Sequence, residues 1–252
     1  MKLNQSKCHF LTNGSTENLW VMVGNERIWE IQSEKLLGMS VDKDLNFNSH
    51  LKSLCKKVNQ KVSALARIAN ILPFQKRHII MKTFIESQFS YCPLVWMFCS
   101  RSMNNKINHI HERALRLVYQ DYSTTFEGLL KKDNSLTFHQ RNIHQVAIEM
   151  YKVKHDLSPP FMKEIFTNKV NEKGTRSGDT FERPNVDSVK KGDRSLQSFG
   201  PIVWNTMLPA KFKDCKSLDE FKLSIKSWIP KGCPCELCKT YVQGLGYTVL
   251  YE

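Results

Sequence analysis

From Leu51 to Ala69 the apolar residues fall at a single period. Leu51, Leu54, Cys55, Val58, Val62, Leu65, Ala66 and Ala69 form one stripe of an amphipathic helix, which must lie against something apolar. Asn48 or Ser49 is positioned to cap its start and Pro73 to end it. Lys52, Lys56, Lys57, Lys61 and Arg67 fall off the stripe, so the other face is cationic. A second helix is expected from Gln75 to Gln88, with Ile79, Ile80, Phe84 and Ile85 inward and Lys76, Arg77 and Lys82 outward. A third is expected from Asn104 to Gln120. Its stripe is Ile107, Ile110, Ala114, Leu115, Leu117 and Val118, and Arg113 and Arg116 neighbour one another on its surface.

Charge belongs to this block and not to the chain at large. Residues 50–120 hold 12 Lys and Arg against Glu86 and Glu112, whereas residues 1–49 hold 5 basic and 6 acidic groups and residues 121–252 hold 20 and 16. Most of the net charge of +13 therefore sits on three consecutive helices. Long cations on a helix face suit a polyanion, and the expected partner is nucleic acid, as RNA, DNA or a hybrid duplex, bound through phosphates. A merely solvated helix face is the alternative that charge alone leaves open. Tyr91, Trp96 and Phe98 either stack on bases or, as bulky apolar groups more often do, fill a core.

Around the block the expected fold is mainly α with a small N-terminal antiparallel β-sheet. Residues 1–47 carry the sheet, with strands at 19–23 and 27–31 about the turn Gly24-Asn25-Glu26 and a third strand at 35–41. Three strands cannot bury both faces, so they should lean on the helices or on a segment N-terminal to Met1. Residues 48–120 form the basic helical region, and residues 121–167 a helical extension with helices at 126–131, 138–155 and 161–166. In the second of these, Ile143, Val146, Ala147, Met150, Tyr151 and Val153 are the residues expected to be buried. A loop is expected over 168–194, with an extended stretch near Val186 to Val189. Residues 195–252 hold helices at 195–207 and 218–228 and an irregular tail from Pro230.

Met1 to Lys7 lack the apolar run of a secretory signal, and the uncharged run Ser87 to Ser100 is 14 residues long and holds Pro93. A membrane helix needs about 20. The expectation is an intracellular chain, nuclear or cytoplasmic, with reduced cysteines and no membrane partner. Cys8, Cys55, Cys92 and Cys99 stand apart as buried thiols, while Cys233, Cys235 and Cys238 follow C-x-C-x-x-C. Three thiols at that spacing can meet one structural Zn²⁺ with a fourth ligand from Cys215 or a histidine, or remain free thiols in an ordered tail. His109 and His111 diverge on a helix, as do His139 and His144. No Gly-rich phosphate loop or Gly-x-Ser-x-Gly turn is present, so no catalytic residue is assigned.

Several stretches resemble the C-terminal part of non-LTR (LINE-type, jockey-like) retrotransposon reverse transcriptases. They are residues 4–8, 36–42, 45–50, Ser87 to Trp96, Glu112 to Arg116, Gly200 to Asn205 with Leu208-Pro209, and Cys233 to Cys238. The resemblance implies that Lys7 lies in a lysine-bearing turn at the end of the polymerase palm, and Leu37-Gly38 in a hairpin supporting the primer strand. The three basic helices would then be the thumb. A polymerase of this family holds two Mg²⁺ on clustered aspartates, yet no Asp-Asp pair occurs here, and Asp42 and Asp44 follow a strand into a turn. The expectation is a non-enzymatic chain that binds nucleic acid through its thumb. The alternatives are a relic or gene-model fragment acting only with an upstream polymerase segment, and a zinc-stabilised protein-interaction module.

Overall fold

The computed structural model describes residues 4, 7–13, 19–169, 180–185, 192, 195–235, 237–242 and 246–249. They fall into two units, residues 1–91 with 102–122, and residues 92–101 with 123–252.

Unit 1 begins with two separate antiparallel hairpins, β1 (Trp20–Val23) with β2 (Glu26–Trp29), and β3 (Ser33–Leu36) with β4 (Met39–Asp42). The expected third strand is thus itself a hairpin. It folds at Leu37-Gly38, where φ is +48° and +88°, the left-handed pair that a tight two-residue turn requires. The helix α1 (Asn48–Ile68) follows, and its cap differs from the expected one. Neither Asn48 nor Ser49 caps it; Phe47 precedes the helix at φ +53°, and the Asp42 carboxylate accepts from the backbone N–H of Asn46 and Phe47 at 2.9 and 2.8 Å.

The second helical run, α2 (Phe74–Ile80), continues with its hydrogen bonds widened over Met81–Ile85 and tightened over Glu86–Ser90. This corrects the expected inward face. Ile79 and Phe84 are exposed, and Arg77, Met81, Ile85 and Phe89 are buried at steps of four. Then α4 (Arg101–Tyr119), which follows the short α3 (Pro93–Trp96) of unit 2, buries its whole expected stripe together with Met103 and His111. Arg113 donates to Ser63 at 3.4 Å and Gln120 to Asn70 at 3.4 Å, so α1 and α4 run side by side in the same direction.

In unit 2 the order is α5 (Phe126–Asp133), α6 (Phe138–Lys154), α7 (Phe161–Ile165), β5 (Asn168–Lys169), β6 (Thr180–Phe181), α8 (Leu196–Ile202), α9 (Ala210–Lys213) and α10 (Leu218–Ile225). The stretch Val203–Met207 carries α8 on in a widened turn. The expected irregular tail instead contains a hairpin, β7 (Lys239–Val242) with β8 (Gly246–Val249). The expected stretch Val186–Val189 lies outside the described residues.

The buried stripe of α6, from Ile143 to Val153, packs with Phe181, Phe199, Trp204, Phe221 and Trp228. Tyr151 stacks on Phe221 with ring centres 4.4 Å apart and donates its hydroxyl proton to the Cys215 carbonyl at 2.9 Å. A Cβ on Gly200 would stand 2.5 Å from Met150 Sδ, so this glycine permits the close approach of α8 to α6. Trp96 is buried and Phe98 packs edge-on against Phe199, which makes both core residues and not base-stacking platforms.

Candidate nucleic-acid interface and metal centre

Two concavities flank α1, both within unit 1. The first lies between α1 and α4 and is lined by Lys52, Lys56 and Asn59 from one helix and Lys106, His109 and Arg113 from the other, over a floor of Cys55, Met103 and Ile110. No carboxylate lines it. Lys52 and Lys56 share a face at i,i+4, and Lys106 and Arg113 at i,i+7, a separation of about 10 Å along the axis. That spans about three phosphates of a strand rising 3.4 Å per nucleotide. Burial pushes the Cys55 thiol up, against the opposing charge of Lys106, so this floor residue stays a neutral thiol.

The second is a cavity of about 440 Å³ on the other side of α1, lined by Lys35, Ser40, His50, Ser53, Lys57, Ser87, Gln88 and Tyr91 among others. It too contains no carboxylate. Burial, and then the Lys57 charge, hold His50 below the ordinary histidine range, and its Nδ1 accepts from the Ser40 backbone at 3.4 Å. Tyr91 donates its hydroxyl proton to the Leu37 carbonyl. It thereby ties the Leu37-Gly38 tip, where the Leu37 side chain is 83% exposed, to the rim of the cavity.

The sequence-derived cations are therefore distributed unevenly. Lys52, Lys56 and Arg113 line the groove and Lys57 the cavity. Arg67 and Lys76 are exposed but line neither, Lys61 is half-buried, and Lys7 is exposed near the N-terminus. Lys82 pairs with Glu86 at 3.2 Å, and Arg116 with Glu112 at 2.6 Å. Arg77 is a correction: its guanidinium is buried and donates to the carbonyls of Val118, Ala69 and Leu72 at 2.9, 3.1 and 2.5 Å. It joins the C-terminal ends of α1 and α4 and has no face left for a phosphate. Sequence reasoning passes over Lys106 and His109, although the i,i+7 spacing of Lys106 to Arg113 marks them as one face.

In unit 2, His139 Nε2 lies 3.2 Å from Cys235 Sγ and 3.7 Å from Cys233 Sγ, and with Cys238 the four donor atoms all fall within 4.8 Å of one another. Local structure explains the convergence. A capping box between Thr137 and Gln140 fixes the first turn of α6 and with it His139. Gly232 turns the chain at φ +68°, and the Cys238 N–H bonds the Cys235 carbonyl at 3.1 Å, closing the C-x-x-C turn. Cys215, one expected candidate for the fourth ligand, is buried elsewhere, with its carbonyl on Tyr151.

A tetrahedral ion bound by three thiolates and one imidazole separates its ligand atoms by about 3.5–3.8 Å, so the donor set and its spacing fit. The thiols share protons unequally. Bonds from Cys233 and Cys238 chiefly hold Cys235 far below the usual thiol range, against burial and with help from His139. Cys233 is pushed far up by its bond to Cys235, its bond to Cys238 and burial. On Cys238 the bond with Cys233 acts downward, but the bond to Cys235, burial and the Cys235 charge outweigh it, and the thiol is pushed up to about 12.

Among the described residues no helix is long and apolar enough to cross a membrane. No protein-family model matches the chain, and neither a curated protein nor a solved structure matches it.

Proposed function

We propose that unit 1 binds nucleic acid through its phosphate backbone, seated in the groove between α1 and α4. The observation that carries this reading is the groove itself, where Lys52, Lys56, Lys106 and Arg113 converge from two parallel helices with no carboxylate in the lining, and His109 at its edge lies 3.7 Å from Glu112. Its lining contains no aromatic residue other than the His109 ring, which favours a grip on the backbone over stacking on bases. The resemblance of residues 36–42 and 87–96 to the primer-supporting and thumb segments of non-LTR reverse transcriptases supports the same reading. The Leu37-Gly38 tip beside the second carboxylate-free cavity would then support a strand running along α1. The role is one of holding a strand, as RNA, DNA or hybrid; Asp42 serves the turn before α1, and no residue is assigned a catalytic step.

In unit 2 the Cys233, Cys235, Cys238 and His139 cluster supports a structural zinc ion. Bound there, zinc would supply cohesion to a segment that has neither helix nor strand among its described residues.

The test is binding to a duplex over a salt series, comparing the native chain with a variant carrying Lys52→Ala, Lys56→Ala, Lys106→Ala and Arg113→Ala. Each phosphate that is no longer neutralised should lower the log-log salt slope by about 0.9, so the slope should fall by about 3 to 4 without regard to sequence. A control carrying Arg67→Ala and Lys76→Ala should keep most of the slope. Equal slopes for the two variants would show that the groove is not the binding surface.

A further inference from the structure

Resting on the zinc reading, we propose that the four-donor cluster is a metal-dependent latch, and that a thiophilic d¹⁰ divalent cation decides whether the segment from Ile229 to Cys238 stays docked on α6. Among its described residues the segment has neither helix nor strand, and the one backbone hydrogen bond there is the local turn from Cys238 to Cys235. Before it, the chain is anchored at Trp228, whose ring stacks on His144 with centres 5.4 Å apart and whose carbonyl accepts from His144 Nε2 at 2.8 Å. After it, β7 begins at Lys239, the residue next to the last ligand. Between the two, among the described residues, the polar attachments to α6 are the sulfur contacts with His139.

Those contacts hold poorly without an ion. Hydrogen bonds to sulfur are weak, and His139 Nδ1 is buried with no hydrogen-bond partner, so nothing on the far side of the ring fixes its orientation. Of the neighbouring side chains, Lys231 is exposed, Ile229 is 57% exposed, Pro230 and Cys233 are buried, and Pro234, Cys235, Leu237 and Cys238 are half-buried, with the three cysteines against the core. Ordering ten residues costs roughly 1 kcal/mol or more of backbone entropy for each. Two small buried side chains and a half-buried rim offset only part of that cost, whereas ion ligation adds strongly to the offset, because ligands brought from distant parts of the sequence make metal affinity and docking one equilibrium. The ligand set spans 94 residues between His139 and Cys233, so the clip closes a long loop and not a self-contained knuckle.

The experiment uses the full chain, purified with zinc and then stripped with a chelator. Metal content and the absorption of a cobalt-substituted sample report ligation by thiolates. Limited trypsin cleavage at Lys231-Gly232 reports docking, with Lys226 as a nearby reference and Lys154 at the end of α6 as a control for global unfolding. The zinc form should resist cleavage at Lys231, and the stripped form should be cut on the order of tenfold faster there, with Lys154 unaffected. His139→Ala should behave like the stripped form, and His139→Cys, which restores a fourth ligand, should bind metal and resist cleavage. Failure to bind one equivalent of metal would overturn the zinc reading itself. One equivalent bound, with equal cleavage at Lys231 whether or not metal is present, would leave that reading standing and overturn the latch.

Discussion

The two units bury polar side chains by different means. In unit 1 two buried polar side chains meet protein partners within the helical packing: Arg77 donates to three carbonyls, and His111 Nε2 lies 3.1 Å from the Glu86 carboxylate. Unit 2 gathers three thiols and an imidazole around a point where no protein group among the described residues completes the arrangement. A network satisfied from within stabilises by itself, while an incomplete one depends on a ligand. The contrast places the ligand-dependent part of the stability in unit 2.

The largest expected effect breaks or confirms that contrast directly. Cys55 in unit 1 and Cys235 in unit 2 are both poorly exposed free thiols. Cys55→Ala should cost about 1 kcal/mol, the loss of one small buried group, and should leave the response to a chelator unchanged. Cys235→Ala should remove metal-linked stability on the order of 5 kcal/mol or more and abolish the chelator response. Calorimetry of both variants with and without chelator decides it; similar losses in the two would erase the distinction between the units.

Arg77 sharpens the other side. Arg77→Met keeps the bulk of the side chain and strips three carbonyls of a charged donor, so thermal unfolding should show a loss of about 3 kcal/mol. Duplex affinity per folded molecule should stay unchanged. A large fall in affinity with little loss of stability would return Arg77 to the binding surface.

These two residues also show what a single sequence reveals. The stripes of α1, α4 and α6 are legible because each helix buries a regular face, and every residue named for the α4 and α6 stripes is buried. The second run misleads because its buried residues Arg77, Met81, Ile85 and Phe89 recur at steps of four through a stretch whose hydrogen bonds widen over Met81–Ile85, which leaves Ile79 and Phe84 outside. Periodicity carries no sign of such a turn. Arg77 has the spacing of a surface cation, since spacing cannot show that the carbonyl ends of two helices meet beside it. The three thiolate positions are legible as C-x-C-x-x-C, whereas His139 is not, since its link to Cys233 is made by the tertiary packing of α6. The hairpin at Leu37-Gly38 lacks a polar turn pair and reads as continuous strand, although the left-handed backbone at both positions is ordinary for such a turn once formed.

The smallest expected effect is on pH dependence, and it bears on both units. His50 in unit 1 and His144 and His155 in unit 2 are all held below the ordinary histidine range, in each case chiefly by burial. Lys57 adds to this at His50, and Lys154 at His155, where Asp156 opposes it. At His144 the Trp228 carbonyl pulls the other way and Arg141 restores part of the depression. Above about pH 6.5 each ring is neutral in both folded and unfolded chains, and the stability is fully present. As pH falls through that value the unfolded chain takes up protons first, so it binds more protons than the folded state and stability declines until the folded rings titrate as well. Two of the three rings lie in unit 2, and His144 anchors Trp228 just before the latch segment. Mild acid should therefore weaken that anchor together with the packing of His50 at the start of α1. Ring resonances of the zinc-loaded chain followed from pH 8 to 5 should titrate below about 6.5 for all three histidines, with Trp228 signals shifting in step with His144. A midpoint at or above 6.5 for His144 would mean that its bond to the Trp228 carbonyl outweighs burial, and that acid strengthens the anchor instead of releasing it.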